Sequence, residues 1–562
     1  MNSWGCKVIR KCFILLIGCT GSSAVAQTEV TFNLDLQPLI DQQLFIPDRG
    51  DRVFVRGDFN HWSGTDFELY LKTGTPYYSG SFTLDADQGD TLAYKYVIAR
   101  SGDRIFWEQQ PDPAHEPNGN RWIIISGTEQ AEPLTTFACD EYFSFPVIFS
   151  SEKMKADFDT IRAMLERIHP ALYDYTPKEQ MDAAFEEVAN QLDKPMEFRK
   201  YYTLLSRLVA KIGCGHSSLW IQSDYWNTVP DSLFPLRLCL MGDSVFVSGS
   251  YAEECEVPVG SRLISINGIP VGQVIDHLMS ITSADGFNRA YKLAMVEKNF
   301  SKKYALEYGF PGHFRLGAVV PGDKQSRFYT VHGVPAPEID RQALTGSELS
   351  FRKLEGTHAG ILTINTFGYY DRVDMFKSFI DSVFREIKSN DMEELILDLR
   401  GNSGGDPFCA SYLFSYLEHQ PEPYFEEHYG QYDTLALPIP LATNHFDREL
   451  YILIDGNGFS TTGHFCALLK YHELGKFIGG ETGATYTCTG SVMYPTMERT
   501  RIILGTARNR RYTAAVKNMD PGRGIVPDYP VQKTPEDLIL GRDPVYEFAV
   551  SLVSETTGNR TD

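Results

Sequence analysis

The sequence carries no basic excess. Lys and Arg total 52 against 73 Asp and Glu, a formal charge of −21 over 562 residues. A nucleic-acid binder needs a basic face to neutralise phosphates, so this balance argues against that class of partner. It argues equally against anionic membrane surfaces. Beyond the leader, no apolar run is long enough to cross a bilayer. Cysteines are unpatterned. Of the ten, Cys6, Cys12 and Cys19 lie in the leader, and the other seven (Cys139, Cys214, Cys239, Cys255, Cys409, Cys466 and Cys488) are odd in number and scattered. That is no disulfide framework. One bridge, Cys239 to Cys255, is compatible with an oxidising compartment; buried free thiols are the other reading. No C-x-x-C or His-rich spacing suggests zinc, and no glycine-rich loop ends in the Lys-Ser/Thr of a phosphate-binding loop. Neither metal nor cofactor is expected.

What is present is a globular balance, 43% hydrophobic and 22% charged, with 13% aromatics. At roughly 100–200 residues per domain the length suggests three or four domains. Lys7, Arg10 and Lys11 precede a short apolar core beginning Phe13-Ile-Leu-Leu-Ile17, and Ala24-Val25-Ala26 supplies small residues for cleavage before Gln27. This reads as an export signal over residues 1–26, and places the mature chain in a periplasm, at a cell surface or outside the cell. Leu16-Ile17-Gly18-Cys19 offers a second reading, a lipid anchor on Cys19.

Along the chain the pattern changes four times. Residues 27–130 alternate apolar and polar, as in Val30–Leu36, Val53–Gly57 and Leu92–Ile98, and predict a β-sandwich. Residues 150–230 switch to helical spacing, with Met154, Phe158, Ile161, Leu165 and Ile168 on one face. A second helix follows Pro177, and a third runs from Met196 to Ile212. Residues 234–345 return to short strands, including Arg262–Ile266 followed by an Asn267-Gly268 turn and a helix. From 346 to 555 strands and helices alternate, predicting an α/β core with largely parallel pairing. Its strands are 360–364, 394–400 and 449–454, and its helices are 373–387 and 461–471.

Three segments could carry chemistry. In Ile454-Asp-Gly-Asn-Gly-Phe-Ser-Thr-Thr-Gly-His464 a strand runs through a glycine-rich turn into a serine and then a helix. The helix N-terminus would put N–H groups and a positive dipole where an oxyanion forms; the plainer reading makes Ser460 an N-cap. In Lys211-Ile-Gly-Cys-Gly-His-Ser-Ser-Leu219, glycines on both sides of Cys214 present His216, and histidine is the usual base for a serine nucleophile. In Leu397-Asp-Leu-Arg-Gly-Asn-Ser-Gly-Gly-Asp406, a buried strand ends in a loop able to donate main-chain N–H groups; the plainer reading is a tight turn with an internal Asp398–Arg400 pair.

Taken in order, Gly213-Cys-Gly-His216, Asp398 to Gly405, Phe459-Ser460 and Gly522-Arg-Gly-Ile-Val-Pro-Asp528 resemble the motifs of the C-terminal-processing (tail-specific) and tricorn-core serine peptidases. The resemblance spans about residues 150 to 550. It implies a helical cap carrying the histidine, a PDZ-like α+β unit at 234–345 and a crotonase-like α/β core. It also implies a serine-type peptidase with Ser460 as nucleophile and His216 as base, with oxyanion N–H groups from Gly404 or Gly405 and from Thr461. The substrate would be a peptide or unfolded protein, and the PDZ-like unit is a candidate binder of a peptide C-terminus. The tail-specific branch places a lysine downstream of the serine; Glu481–Thr489 contains none, so the tricorn-like branch fits better. Its late carboxylate falls at Pro521, beside Asp520, which becomes the candidate third member. Gly463 stands where the family often has glutamate, and His464 is an alternative base. These departures keep open a weakened or non-catalytic binding homologue.

Val53-Phe-Val-Arg-Gly-Asp-Phe-Asn-His-Trp62, with Tyr94–Val97, Trp107-Glu108 and Pro117–Arg121, is similar to starch-binding-type carbohydrate modules. That resemblance implies a sugar-stacking role for Trp107 and makes a glycan a candidate partner. The alternative is a core aromatic in a docking sandwich.

Overall fold

A computed structural model describes residues 27–41, 45–75, 77–100, 104–108, 120–137, 146–341, 348–508 and 510–558. The export signal, the Cys19 anchor, Cys139 and most of Pro117–Arg121 lie outside these. The chain divides into two compact units, residues 1–143 and 144–562.

The first unit is built of strands. Gln27–Asp35 pairs antiparallel with Tyr77–Asp85 along its whole length, and Arg52–Gly57 pairs antiparallel with Thr91–Arg100. Thr91–Arg100 also takes Arg104–Trp107 and Arg121–Ile124. Val30, Phe32, Leu34 and Leu36 are fully buried, so the period-two alternation marks the inward face of a strand.

In the second unit, helices Ser151–Ile168, Lys178–Ala189 and Phe198–Ala210 come first. Met154, Phe158, Ile161 and Leu165 form the buried stripe that their spacing predicts. The third helix begins at Phe198 rather than Met196, because Met196–Glu197 pairs with Ile148–Phe149 as a short antiparallel strand. Next come five antiparallel strands in the order Leu236–Met241, Ser244–Ser250, Arg262–Ile266, His313–Val319, Arg327–His332. Helices Val271–Ser280, Arg289–Lys298 and Phe300–Tyr308 accompany them. Asn267 and Gly268 both have positive φ, as a tight hairpin turn requires.

The α/β core is a six-stranded sheet of β1 (Leu349–Lys353), β2 (Ala359–Ile364), β3 (Glu394–Asp398), β4 (Glu449–Ile454), β5 (Lys476–Gly479) and β6 (Tyr529–Pro530). Only β1 runs antiparallel; β2 through β6 are parallel. Helices α1 (Val373–Ser389), α2 (Pro407–Leu417) and α3 (Thr461–Tyr471) cover one face. Leu395, Leu397, Leu450 and Ile452 pack into that layer. Ile396, Tyr451 and Leu453 point the other way, against Ala549 and Val553 of the C-terminal helix. A sheet covered on both faces explains why β3 is buried at every position. β3 stops at Asp398, two residues short of its sequence pattern, because Arg400 folds back onto Asp398 (2.9 and 2.7 Å) and reaches Asp543 (2.8 Å).

The six described cysteines are free thiols, Cys239 and Cys255 included. Among the described residues no helix is long and apolar enough to cross a membrane.

Leu397 is fully buried at the centre of the helix-covered layer. Leu397→Ala is expected to cost about 2–5 kcal/mol, read as an earlier urea midpoint for the unfolding of the second unit.

Candidate active site

The site begins where β4 ends. Asp455 Oδ1 accepts from the Gly401 and Asn457 amides, both at 3.0 Å, and so ties the turn after β4 to the loop after β3. Five residues after Asp455, Ser460 adopts φ 56°, ψ −123°, and α3 starts at the next residue. Ser460 occupies the N-cap position of α3, but its side chain makes no capping hydrogen bond. The strained turn instead directs the hydroxyl away from the helix and into an open cleft.

His216 meets it there. Its Nε2 lies 3.0 Å from Ser460 Oγ although the two residues are 244 apart in sequence. The imidazole rests on Phe459, ring centroids 4.6 Å apart, and Phe459 stacks on Tyr291 at 4.4 Å. Gly215 is required by space: a Cβ there would come within 2.6 Å of the Phe459 ring. The histidine loop is fastened on several sides. Asp285 Oδ1 accepts from the Gly215 amide (2.7 Å), Cys214 Sγ contacts Thr489 Oγ1 (2.9 Å), and Ser218–Trp220 pairs with Ile503–Gly505.

The glycine-rich loop after β3 packs against the serine turn through Asn402, which is fully buried. Its Oδ1 accepts from the Gly404 amide (2.9 Å) and from Thr462 Oγ1 (2.8 Å). Its Nδ2 donates to Ile364 O (3.0 Å), and its own carbonyl accepts from the Phe459 amide (3.2 Å). This corrects one expectation: the Gly404 N–H is taken by Asn402 and does not face the cleft as an oxyanion donor. The Gly405 and Thr461 amides carry no hydrogen bond among the described residues, and both residues line the cleft beside Ser460. Thr461 Oγ1 donates to Gly405 O (2.6 Å), which keeps the two amides together. Gly405 cannot carry a side chain, because a Cβ would fall 2.1 Å from the Phe367 carbonyl carbon.

Asp520 is not brought to His216. It is exposed and its Oδ1 accepts from the Gly522 amide (2.8 Å), a local turn, while His216 Nδ1 has no hydrogen-bond partner. The buried carboxylate at the histidine loop is Asp285, which sequence reasoning missed; burial pushes it up to about 6. Nothing local marks it, since Ala284-Asp285-Gly286 reads as an ordinary turn. His464 lines the same cleft, but its Nε2 faces Tyr512 O (3.2 Å) and Cys488 Sγ (3.4 Å) rather than Ser460 Oγ. In the first unit, Trp107 lies 6.2 Å from Trp62, with the Arg56 guanidinium 5.4 Å from its ring centroid.

The cleft measures about 630 Å³ and is rimmed by Trp220, Tyr370, Phe425, Tyr432 and Tyr512. A hydroxyl on a strained turn, an imidazole at hydrogen-bond distance and two open amides are the groups that acyl transfer to a serine requires. Residues 358–531 match the family model described as peptidase family S41, so the chain carries an S41 peptidase domain. No curated protein matches the sequence. Among solved structures, mature CPAF is similar at 14% identity and TM-score 0.51, over 72% of this chain and 96% of that one. Mature CPAF complexed with lactacystin is similar at 14% identity and TM-score 0.52, over 72% and 98%. The photosystem II D1 C-terminal processing protease matches at 14% identity and TM-score 0.35, over 68% and 94%. At this identity the likeness to the two CPAF structures is one of fold alone.

Burial lowers the His216 imidazole from 6.5 to about 4. Between those values the unfolded chain binds the proton and the folded chain does not, so this group's contribution to stability is lost as pH falls from 6.5 towards 4. Proton NMR of the imidazoles, assigned by difference with His216→Gln, is expected to put the His216 midpoint near 4. A midpoint at 6.5 or above would show the ring to be solvated or charge-paired.

Proposed function

We propose that the chain is a serine-type peptidase acting on peptides or unfolded segments of exported proteins, with Ser460 as nucleophile and His216 as general base. The observation that carries this is the 3.0 Å contact between His216 Nε2 and Ser460 Oγ. His216, neutral at physiological pH, takes the Ser460 proton as the oxygen attacks a peptide carbonyl. The Gly405 and Thr461 amides hold the tetrahedral oxyanion. The imidazolium then protonates the leaving amine, and water, deprotonated by the same ring, releases the acyl group from Ser460. Asp285 holds the Gly215 amide and so sets where the ring sits. The open, aromatic-rimmed cleft suits an extended chain rather than a compact small molecule.

Around this chemistry we read residues 150–230 as a helical cap that supplies His216. Residues 234–345 we read as a PDZ-like unit, on the strength of its five antiparallel strands and accompanying helices. The core we read as crotonase-like. Both endopeptidase and C-terminal-processing action fit the cleft. Export follows from the leader pattern. The Trp62–Trp107 pair is our assignment for a glycan-facing surface on the first unit; full-length chain is expected to bind soluble starch, and Trp107→Ala to weaken it in affinity electrophoresis.

Ser460→Ala is expected to lower cleavage of unfolded casein by on the order of 10⁴-fold or more and to abolish labelling by a fluorophosphonate. Asp520→Asn should leave kcat/KM within about twofold, because this exposed carboxylate bonds the Gly522 amide of its own turn rather than the ring. Residual cleavage equal to wild type in Ser460→Ala would remove the serine from the mechanism and leave a binding protein on a peptidase fold.

A further inference from the structure

The histidine loop is fastened through its backbone: Asp285 takes the Gly215 amide, and Ser218–Trp220 pairs with Ile503–Gly505. Neither contact holds the imidazole itself. In a Ser-His-Asp triad the third member fixes the ring's orientation through Nδ1, and the His216 Nδ1 has no hydrogen-bond partner. Among the described residues the ring's hydrogen bond is the one at Nε2, to Ser460 Oγ. That bond fixes one point and leaves the ring plane free to swing about it. A general base must keep its nitrogen within hydrogen-bond reach of the proton it takes, so the orientation has to come from packing.

The packing is a run of three rings. His216 meets Phe459 at 4.6 Å between centroids with 36° between the planes, and Phe459 meets Tyr291 at 4.4 Å with 22°. Such close, shallow-angled contacts fix one ring plane against the next. Among the described residues no ring contact joins Tyr291 to His216 directly. Tyr291 belongs to helix Arg289–Lys298 of the strand-rich segment and is clamped to the α/β core. Asn288, at the N-cap of that helix, accepts from the Tyr291 amide (2.8 Å) and donates through Nδ2 to Thr482 O (2.9 Å). Gly483 leaves room for the ring, since a Cβ there would fall 2.6 Å from Tyr291 Cδ2. Yet Tyr291 is only half-buried, and it lines both the cleft and an adjoining cavity of about 370 Å³. An aromatic that merely fills a core is enclosed on all sides; this one opens on two cavities and is packed where it meets Phe459.

Resting on the peptidase reading, we propose that Tyr291 is a positioning residue for the reaction, which acts through Phe459 to fix the plane in which His216 presents Nε2 to Ser460. The stack takes over the orienting task that a carboxylate at Nδ1 performs in a triad. Because Phe459 directly precedes Ser460, one clamp sets the ring and the serine turn together. The phenol hydroxyl has no part in this; the flat face of the ring does the work, so phenylalanine at 291 serves as well as tyrosine.

The test uses the full-length chain with Tyr291→Leu, Tyr291→Phe, Phe459→Leu and the double variant Tyr291→Leu/Phe459→Leu. Tyr291→Leu is expected to lower kcat on unfolded casein, and the rate of fluorophosphonate labelling, by roughly ten- to a hundredfold with KM within about twofold. Tyr291→Phe should keep both rates within about twofold of wild type. The His216 ring-proton signals, assigned by difference with His216→Gln, should move in Tyr291→Leu and stay in place in Tyr291→Phe. The double variant should be no slower than Phe459→Leu alone, because the two residues act in series. Should Tyr291→Leu not fold, as its urea midpoint would show, Tyr291→Met, with an unbranched side chain that fills irregular space, carries the same comparison. Wild-type kcat without the aromatic ring, a loss borne by KM, an equal loss in Tyr291→Phe, or additive losses in the double variant would each overturn the proposal. The peptidase reading fails separately, through absent cleavage and absent labelling in the unsubstituted chain; the His216 signals then decide alone whether Tyr291 orients the ring.

Discussion

Ser460 holds a backbone conformation that an L-residue with a side chain rarely adopts, and such a residue costs of order 1–3 kcal/mol unless its surroundings over-determine it. Asn402 supplies much of that determination. From one fully buried side chain it accepts from the Gly404 amide on the loop after β3 and from the Thr462 hydroxyl at the start of α3, and it donates to the end of β2. The parallel register of β2, β3 and β4 brings these three carboxyl ends together, and Asn402 fastens them. The strained serine, the open amides of Gly405 and Thr461, and the blocked amide of Gly404 all follow from the same clasp. A buried polar network of this kind is stabilising only when every member is satisfied, and here each Asn402 side-chain atom has a partner.

The other half of the site comes from elsewhere in the chain. His216 reaches the core because its loop is stitched at both ends, at Cys214 and Gly215 on one side and through Ser218–Trp220 against Ile503–Gly505 on the other. Asp285, from the strand-rich segment, provides the Gly215 stitch. The helical, strand-rich and α/β segments of residues 144–562 therefore meet at one point, and the 3.0 Å contact between ring and hydroxyl depends on all three.

The sequence pattern made some of this readable and hid the rest for identifiable reasons. β3, β4, α1 and α3 announced themselves because buried parallel strands are unbroken apolar runs and amphipathic helices keep their period. His216 and Ser460 were legible because crowding leaves a glycine signature: Gly215 must clear the Phe459 ring and Gly405 the Phe367 backbone. Asp520 was drawn in by its position next to the expected carboxylate, yet neighbouring residues on a turn need not face the same way, and its oxygen closes a local turn with Gly522. Gly404 and Gly405 could not be told apart in sequence, because which amide stays open is decided by Asn402. Asp285 gave no signal. It acquires its role only through tertiary packing, by approaching Gly215.

The electrostatics of the proposed reaction follow from the same packing. A base lowered from 6.5 to about 4 by burial is harder to protonate by about 3 kcal/mol. Serine deprotonation therefore creates an imidazolium in a place that disfavours it. With Nδ1 unpartnered, no carboxylate offsets that charge through the ring as the third member of a triad does. The compensation has to come from the anion formed at the same moment, the tetrahedral oxygen held by Gly405 and Thr461. Neither charge is stabilised without the other, so proton transfer and attack are coupled, and a resting enzyme without a carbonyl in the cleft keeps Ser460 protonated and His216 neutral. In the proposed reaction this low resting basicity limits water activation in the empty cleft.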